Sequence, residues 1–400
     1  MRDAYIYAGL RSPIGRYGGA LASVRPDDLL AGCISALVAG AGFDPEDFED
    51  VIIGCTSQAG EDARNVARHA SLVAGLPVAL AAQTVNRLCG SGLAAIADAA
   101  RAANVGQGDL FLAGGVESMS RAPFVMAKAE TAYARKTQIF EALGERFPNP
   151  EIHRLYGRDS MPQTGDNVAA ALGISREEAD SFALASQLNY EAARARGFYQ
   201  GEIVPVAIKG RKGAETIVDQ DEHPRPESNI EGLARLAPLF RDGVVTAGNA
   251  SGVNDGAAAL IVGTREAGEK AGQKPMTRIV SAAVAGVEPR LMGLGPVPAT
   301  AKALARAGLS LDRIDVIELN EAFASQALAC LKQLGLAFDD KRVNRNGGAI
   351  AIGHPLGMSG ARLALTASRQ LAEGGGHYAL ATMCIGLGQG IAMILERVED

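Results

Sequence analysis

Apolar residues along the chain follow two spacings, and the change from one to the other marks out its elements. Short apolar runs near residues 51, 110, 257 and 391 are bounded by glycine or polar residues and have the length of buried strands. DDLLAGCISALVAGAG (27–42) and ATAKALARAG (299–308) carry apolar residues three and four apart, as one face of a helix requires. LAAIADAARAA (93–103) has small residues around most of its circumference, so it predicts a helix buried between layers. SREEADSFALASQLNYEAARARG (175–197) reads as an amphipathic helix opened by a capping box, Ser175 with Glu178 three residues on. Strand, glycine turn, helix and strand alternate, which predicts a layered α/β fold.

The pattern also returns at long range. AGFDPEDFEDVIIG (41–54) reappears as AGLSLDRIDVIEL (307–319), with the DVI segments starting at Asp50 and Asp315, an offset of 265 residues. The same offset carries the turn CGSG (89–92) onto HPLG (354–357), and VNR at 85–87 has a counterpart at 343–345. DLFLAGGVE (109–117) matches HYALATMCI (377–385) at an offset of 268. These matches predict an internal duplication. One half comprises residues 1–120 and 248–273, and the other residues 274–400. Residues 121–247, where most of the proline, histidine and charged clusters fall, form an inserted loop domain expected to fold over one face of the first half.

Composition narrows the class. A chain of 400 residues, 48% hydrophobic with a net charge of −6, is a globular protein whose mild acidity argues against nucleic acid or an anionic membrane as partner. No apolar run approaches the roughly 20 residues of a membrane span, and MRDAYIYAGLRSPIG lacks the basic and apolar regions of a secretion signal, so a cytoplasmic location is expected. Five cysteines without a C-x-x-C pair form neither a disulfide framework nor a metal-ligand spacing, which predicts reduced thiols and no metal.

Three reactive residues lie in glycine-rich turns. Cys89 stands in VNRLCGSG (85–92) at the start of a helix, where unsatisfied N–H groups and the helix dipole favour a thiolate. His354, between Gly353 and Pro355 in GGAIAIGHPLGMSG (347–360), occupies the corresponding place in the second half and could take the Cys89 proton. Cys384 in TMCIGLGQG (382–390) offers a second acid/base for a carbon acid. In ELNEAFAS (318–325), Asn320 and Glu321 either cap the next helix or point into a site, and an amide there suits a developing enolate oxygen. The backbone N–H groups of Cys89 and Gly386 are candidates for a second oxyanion pocket. Cys33, Cys55 and Cys330 are read as core thiols, and His69, His153, His223 and His377 as surface or structural histidines.

VNRLCGSG, GNASGVNDGAA, NEAFA, GGAIAIGHPLGMSGAR and CIGLGQG resemble, in order and over essentially the whole chain, the signature blocks of the thiolases. The resemblance implies two α/β halves in a five-layer αβαβα sandwich with an inserted loop domain, assembled as a homotetramer built from dimers. It implies coenzyme A and acyl-CoA as substrates, with no bound cofactor and no metal. It casts Cys89 as the acylated nucleophile, His354 as its activator, Cys384 as the acid/base at the acetyl-CoA methyl group and Asn320 as holder of an oxyanion-site water. Ser251 in GNASG resembles a residue of the pantetheine channel, and Arg225 one near the adenine phosphates.

GRYGGALASVRPDDL, AGEDARNVAR, GGVESMSRAPFVMAKA and DSMPQTGDNVA resemble the branch acting on 3-oxoadipyl-CoA in aromatic-compound breakdown more than the acetoacetyl-CoA branch, which often has histidine where Ser160 stands. The alternatives are an acetoacetyl-CoA enzyme or one of broad 3-oxoacyl-CoA range. A dicarboxylic acyl group calls for a cation, for which Arg64, Arg121 and Lys128 are candidates. Arg345 in VNRNGGAI departs from relatives that often carry proline there. A decarboxylating 3-oxoacyl synthase would use a cysteine with two histidines, and the second is lacking here. A thiol redox or metal protein would show clustered Cys or His ligands, and none occur.

Overall fold

The computed structural model describes residues 2–210, 213–374 and 376–399. The first half runs β1 (Ala4–Arg11), β2 (Gly15–Arg16), α1 (Pro26–Ala41), β3 (Asp50–Gly54), α2 (Val66–Val73), β4 (Ala81–Val85), α3 (Ser91–Val105) and β5 (Leu110–Ser118). An inserted segment follows with β6 (Phe124–Met126), β7 (Ile139–Glu141), α4 (Pro150–Tyr156), α5 (Met161–Leu172), α6 (Arg176–Ala195), β8 (Val206–Lys209), β9 (Glu215–Val218) and α7 (Ile230–Ala234). β10 (Asn254–Gly263) and α8 (Arg265–Ala271) return to the first half. The second half contains β11 (Thr277–Gly286), α9 (Pro296–Ala307), β12 (Val316–Leu319), α10 (Ala324–Leu334), α11 (Ala349–Ile352), α12 (Leu356–Ala372), β13 (Tyr378–Ile385) and β14 (Gln389–Arg397).

The strand order β12-β13-β14-β11-β1-β10-β5-β3-β4 displays the duplication. Read outward from the antiparallel β1–β11 junction, β10, β5 and β3 on one side correspond to β14, β13 and β12 on the other. In each arm the outermost of these matched pairs is parallel, β3 with β5 and β12 with β13, while the inner pairs are antiparallel. The copies differ at the edge: β4 pairs with β3 over five residues, whereas its counterpart in the second half shrinks to one bridge between Ile317 and Val343.

Period-two burial sets the layers. In β10, Ala258, Leu260 and Val262 face a central core shared with α3 and α12, while Ala257, Ala259 and Ile261 face an outer core with α1 and α2. In β14, Met393 and Leu395 take the central side, while Ala392 and Ile394 face a third core against α9 and α10. Each fully buried Leu or Ile contributes about 1.5–3 kcal/mol relative to exposure. The order is therefore helix, sheet, helix, sheet, helix, with α3 and α12 as the middle layer. Among the described residues no helix is long and apolar enough to cross a membrane.

The inserted segment does not rest on the first half alone, as its position in the chain suggested. Ala179 and Ala183 on the apolar face of α6 pack with Ala324 of α10 and Ile350 of α11, which belong to the second half. It is tied to the first half by fully buried Arg11, which pairs with Glu202 at 2.6 Å and Asp221 at 2.7 Å. Removing one partner of such a buried pair would strand a charge, at a cost of about 3–5 kcal/mol.

Candidate active site

Cys89 closes a tight turn between β4 and α3. Asn86 Oδ1 accepts the Leu88 N–H at 2.9 Å, and Ser91 Oγ accepts the Arg87 N–H at 2.8 Å while donating to the Leu88 carbonyl at 2.6 Å. Leu88 has φ +45°, a left-handed conformation that costs a side-chain-bearing residue on the order of 1–3 kcal/mol and persists only where its surroundings enforce it. α3 begins at Ser91 with Gly90 as its cap, so Cys89 lies just ahead of the first helical turn rather than in it. The two duplicated turns cross where a Cβ on Gly92 would come within 2.6 Å of the Gly357 carbonyl oxygen. Only glycine allows the starts of α3 and α12 to approach this closely.

Burial works against the thiolate that the helix start favours. Burial pushes the Cys89 thiol up to about 11, against the pull of the Gly386 and Cys89 N–H groups, and the Glu117 carboxylate adds to the rise. Cys89 is half-buried and lies outside the first helical turn, so it loses water while feeling the dipole only from a distance. Cys384, near the end of β13 and 2% exposed, is raised well above an ordinary thiol by burial, then by neighbouring Cys89 and Cys330. Both sulfurs are therefore protonated at neutral pH.

His354 is held on three sides. Its N–H donates to Asn254 Oδ1 at 2.9 Å, its Nδ1 lies 2.6 Å from Ser359 Oγ, and its Nε2 lies 3.4 Å from Asn320 Nδ2. Burial, then the charge of Arg362, lowers the imidazole to about 4, so it too is neutral. Asn320 is fully buried directly after β12, and its Oδ1 has no hydrogen-bond partner among the described residues. Glu321, left undecided by sequence, turns away: Ser186 Oγ at 2.7 Å, Asn344 Nδ2 at 2.7 Å and the Ile350 N–H at 3.0 Å all donate to it. It braces the glycine-rich loop that leads to His354.

Cys89, Gly386 and Cys384 thus adjoin one another, as do His354 and Asn320. Ser251 donates through its N–H at 3.0 Å and its Oγ at 3.1 Å to the Ala322 carbonyl, which seats it against the NEAFA turn. Arg225 is exposed beside a cleft of about 260 Å3 that His223, Ser228, Leu236, Ala247 and Gly248 also line. Of the three cations, Arg121 is occupied by Glu61, whose Oε1 accepts from Nη2 at 2.7 Å, whereas Arg64 and Lys128 are exposed with no ion pair among the described residues. Sequence reasoning passed over three supporting residues, Asn254, Ser359 and Glu117. The buried Glu117 carboxylate accepts from the N–H groups of Thr56 at 3.0 Å, Ser57 at 3.0 Å and Gly357 at 2.9 Å, joining the first half to the start of α12. Their only signal was a polar residue inside an apolar or glycine-rich run.

The family pattern described as thiolase, N-terminal domain, matches residues 4–266, and that described as thiolase, C-terminal domain, matches residues 273–397. The chain belongs to the thiolase family. It is 60% identical to the Escherichia coli (strain K12) 3-oxoadipyl-CoA/3-oxo-5,6-dehydrosuberyl-CoA thiolase over 100% of both chains. It is 55% identical to an Acinetobacter baylyi beta-ketoadipyl-CoA thiolase, again over 100% of both. Identity to an acetyl-CoA acetyltransferase of Syntrophomonas wolfei is 44% over 99% of each. Its structure matches that of the Bacillus anthracis acetyl-CoA acetyltransferase with a TM-score of 0.93 at 39% identity, over 100% of this chain and 99% of the other. In this thiolase Arg345 donates from Nη2 to the Asp315 carbonyl at 2.8 Å, so it is tied to the segment leading into β12.

Proposed function

We propose that this thiolase cleaves 3-oxoadipyl-CoA with coenzyme A into succinyl-CoA and acetyl-CoA, through an acyl group carried on Cys89. Full-length identity of 55–60% to enzymes named for that substrate, against 44% to an acetyl-CoA acetyltransferase, is the observation that carries the substrate. Cys89 Sγ attacks the 3-oxo carbon as its proton passes to His354 Nε2, and the new oxyanion is met by the N–H groups of Cys89 and Gly386. The C2–C3 bond then breaks. The enolate of acetyl-CoA is stabilised beside Asn320 and His354, and Cys384 gives its proton to C2. A thiol kept protonated by burial suits that donor role. Coenzyme A next attacks the acyl-Cys89 thioester: its thiol proton returns to Cys384, the proton on His354 goes back to the departing Cys89 sulfur, and synthesis retraces the same steps.

Ser251 and the cleft beside Arg225 are the proposed path for pantetheine and the adenine phosphates. With Arg121 engaged by Glu61, Arg64 and Lys128 are the proposed partners of the distal carboxylate. The proposed setting is the cytoplasm, with the chain assembled as a tetramer of paired dimers. The test is steady-state thiolysis of 3-oxoadipyl-CoA, acetoacetyl-CoA and a long-chain 3-oxoacyl-CoA by the purified protein. A higher kcat/KM for 3-oxoadipyl-CoA is expected, and a clear preference for acetoacetyl-CoA overturns the substrate assignment.

A further inference from the structure

We propose that Ser359 selects the tautomer of His354 on which thiol activation depends. The inference rests on the reading of His354 as the base for Cys89. A histidine can take a proton from a thiol through Nε2 only if Nε2 carries a lone pair, so the ring hydrogen has to reside on Nδ1. Nδ1 lies 2.6 Å from Ser359 Oγ, and the Ser359 hydroxyl lies 2.9 Å from the Pro355 carbonyl. A serine has one hydroxyl hydrogen. Directed to the Pro355 carbonyl, it leaves an oxygen lone pair facing Nδ1, which then carries the hydrogen. Nε2 is left bare, facing the N–H of the Asn320 amide at 3.4 Å.

A second, inactive network uses the same residues. If Ser359 donates to Nδ1 instead, the hydrogen sits on Nε2, and the Asn320 amide has to turn so that Oδ1 accepts it. That oxygen is buried and has no partner among the described residues. Ser359 is 1% exposed and His354 5%, and bulk solvent offers neither an alternative acceptor. The choice therefore falls to the Pro355 carbonyl, one turn back along the chain from Ser359. Its position is fixed by the start of α12, where it also accepts the Met358 and Ser359 N–H groups at 3.0 Å each and where Glu117 holds the Gly357 N–H. During attack the S–H bond of Cys89 breaks, a C–S bond forms and the proton goes to Nε2. Ser359 accepts from Nδ1–H before and after, and keeps its own hydrogen. It is a positioning residue rather than a catalytic one.

Two measurements test this. In protein labelled with 15N-histidine, the resonances of His354 are identified by their absence from His354→Asn, and long-range couplings report the tautomer. Protonated Nδ1 with unprotonated Nε2 is expected in the free enzyme; an Nε2–H tautomer overturns the inference whatever any variant does. In Ser359→Ala, kcat for thiolysis is expected to fall roughly tenfold to hundredfold, less than the ~10²–10⁴ that a general base supplies. KM should stay within about twofold, and Ser359→Thr should recover part of the loss. A folded Ser359→Ala enzyme with unchanged kcat also overturns it. Wild-type protein without thiolase activity on any 3-oxoacyl-CoA overturns the underlying reading, whereas an active wild type with the Nε2–H tautomer overturns only the role of Ser359.

Discussion

The state of the Cys89 sulfur in the free enzyme can be read from its reaction with iodoacetamide as pH is varied. With the thiol at about 11, about one molecule in 10⁴ carries a thiolate at pH 7, compared with about 3% for an ordinary cysteine near 8.5. The thiolate is the reactive species, so alkylation at pH 7 should run roughly 300-fold slower than for an unperturbed thiol. It should then climb about tenfold per pH unit from 6.5 to 9.5 without levelling. The assay follows the mass of the Cys89 peptide over time at each pH. Cys33 and Cys330, both buried and both at about 12, should lag behind it throughout. Prior incubation with acetyl-CoA should protect Cys89 by acylating it. A rate that levels off with a midpoint at or below about 8.5 would refute the argument, because it would mean that the helix start and the two N–H groups overcome burial. Labelling of Cys55 or Cys330 ahead of Cys89 would refute the choice of nucleophile.

Cys384→Ala should lose thiolysis by at least a hundredfold while still exchanging an acetyl group between acetyl-CoA and Cys89, because only the carbon-acid step needs the second thiol; parallel assays of thiolysis and of label exchange into coenzyme A separate the two. Glu117→Gln should lower stability by about 1–3 kcal/mol, since its amide nitrogen would face one of three buried N–H groups. The same variant should alkylate faster at Cys89, whose thiol the Glu117 charge pushes up; urea midpoints and alkylation rates check both signs. His354, about 4 when folded and 6.5 as an ordinary histidine, takes up a proton first in the unfolded chain as pH falls. Its neutral burial thus costs nothing above pH 6.5 and about 3 kcal/mol by pH 4. Stability measured by urea between those limits should fall more steeply in wild type than in His354→Asn.

What the sequence made legible was local and periodic. β3 and β12, α1 and α9, and α3 and α12 could be matched because apolar spacing and glycine turns survive duplication. The palindromic strand order then follows from pairing like with like. The reduction of the second β4 to a single bridge was masked by the VNR present in both copies; the residues ahead of it, AAQT at 81–84 and DDKR at 339–342, form a strand only in the first. The setting of the Cys89 sulfur was hard to read for a related reason. The helix start is visible in eight residues, but the groups around it come from far along the chain: Ile385 packs against Gly90, and the Gly386 N–H, nearly 300 positions away, pulls against the burial. Asn254 and Glu117 act on the His354 segment across 100 and 240 residues, beyond the reach of any local pattern. Ser359 is only five residues from His354, yet its hydrogen bond needed the turn at Pro355 to be seen.

On the proposed chemistry, these ionisation states constrain when the proton moves. With Cys89 at about 11 and His354 at about 4, transferring a proton between them in the free enzyme lies about seven powers of ten uphill, on the order of 10 kcal/mol before the attraction of the resulting ion pair is counted. A turnover of about 10 per second corresponds to a total barrier of roughly 16 kcal/mol. Each part of that cost left in the ground state is taken from what remains for making the C–S bond. The low-energy course is for the proton to leave Cys89 as the bond to the substrate carbon forms, so that negative charge passes to the carbonyl oxygen instead of resting on sulfur. The N–H groups of Cys89 and Gly386, which fail to ionise the thiol against burial, are then free to meet that oxygen. Their weakness toward the resting thiol and their value in the transition state follow from the same enclosed site.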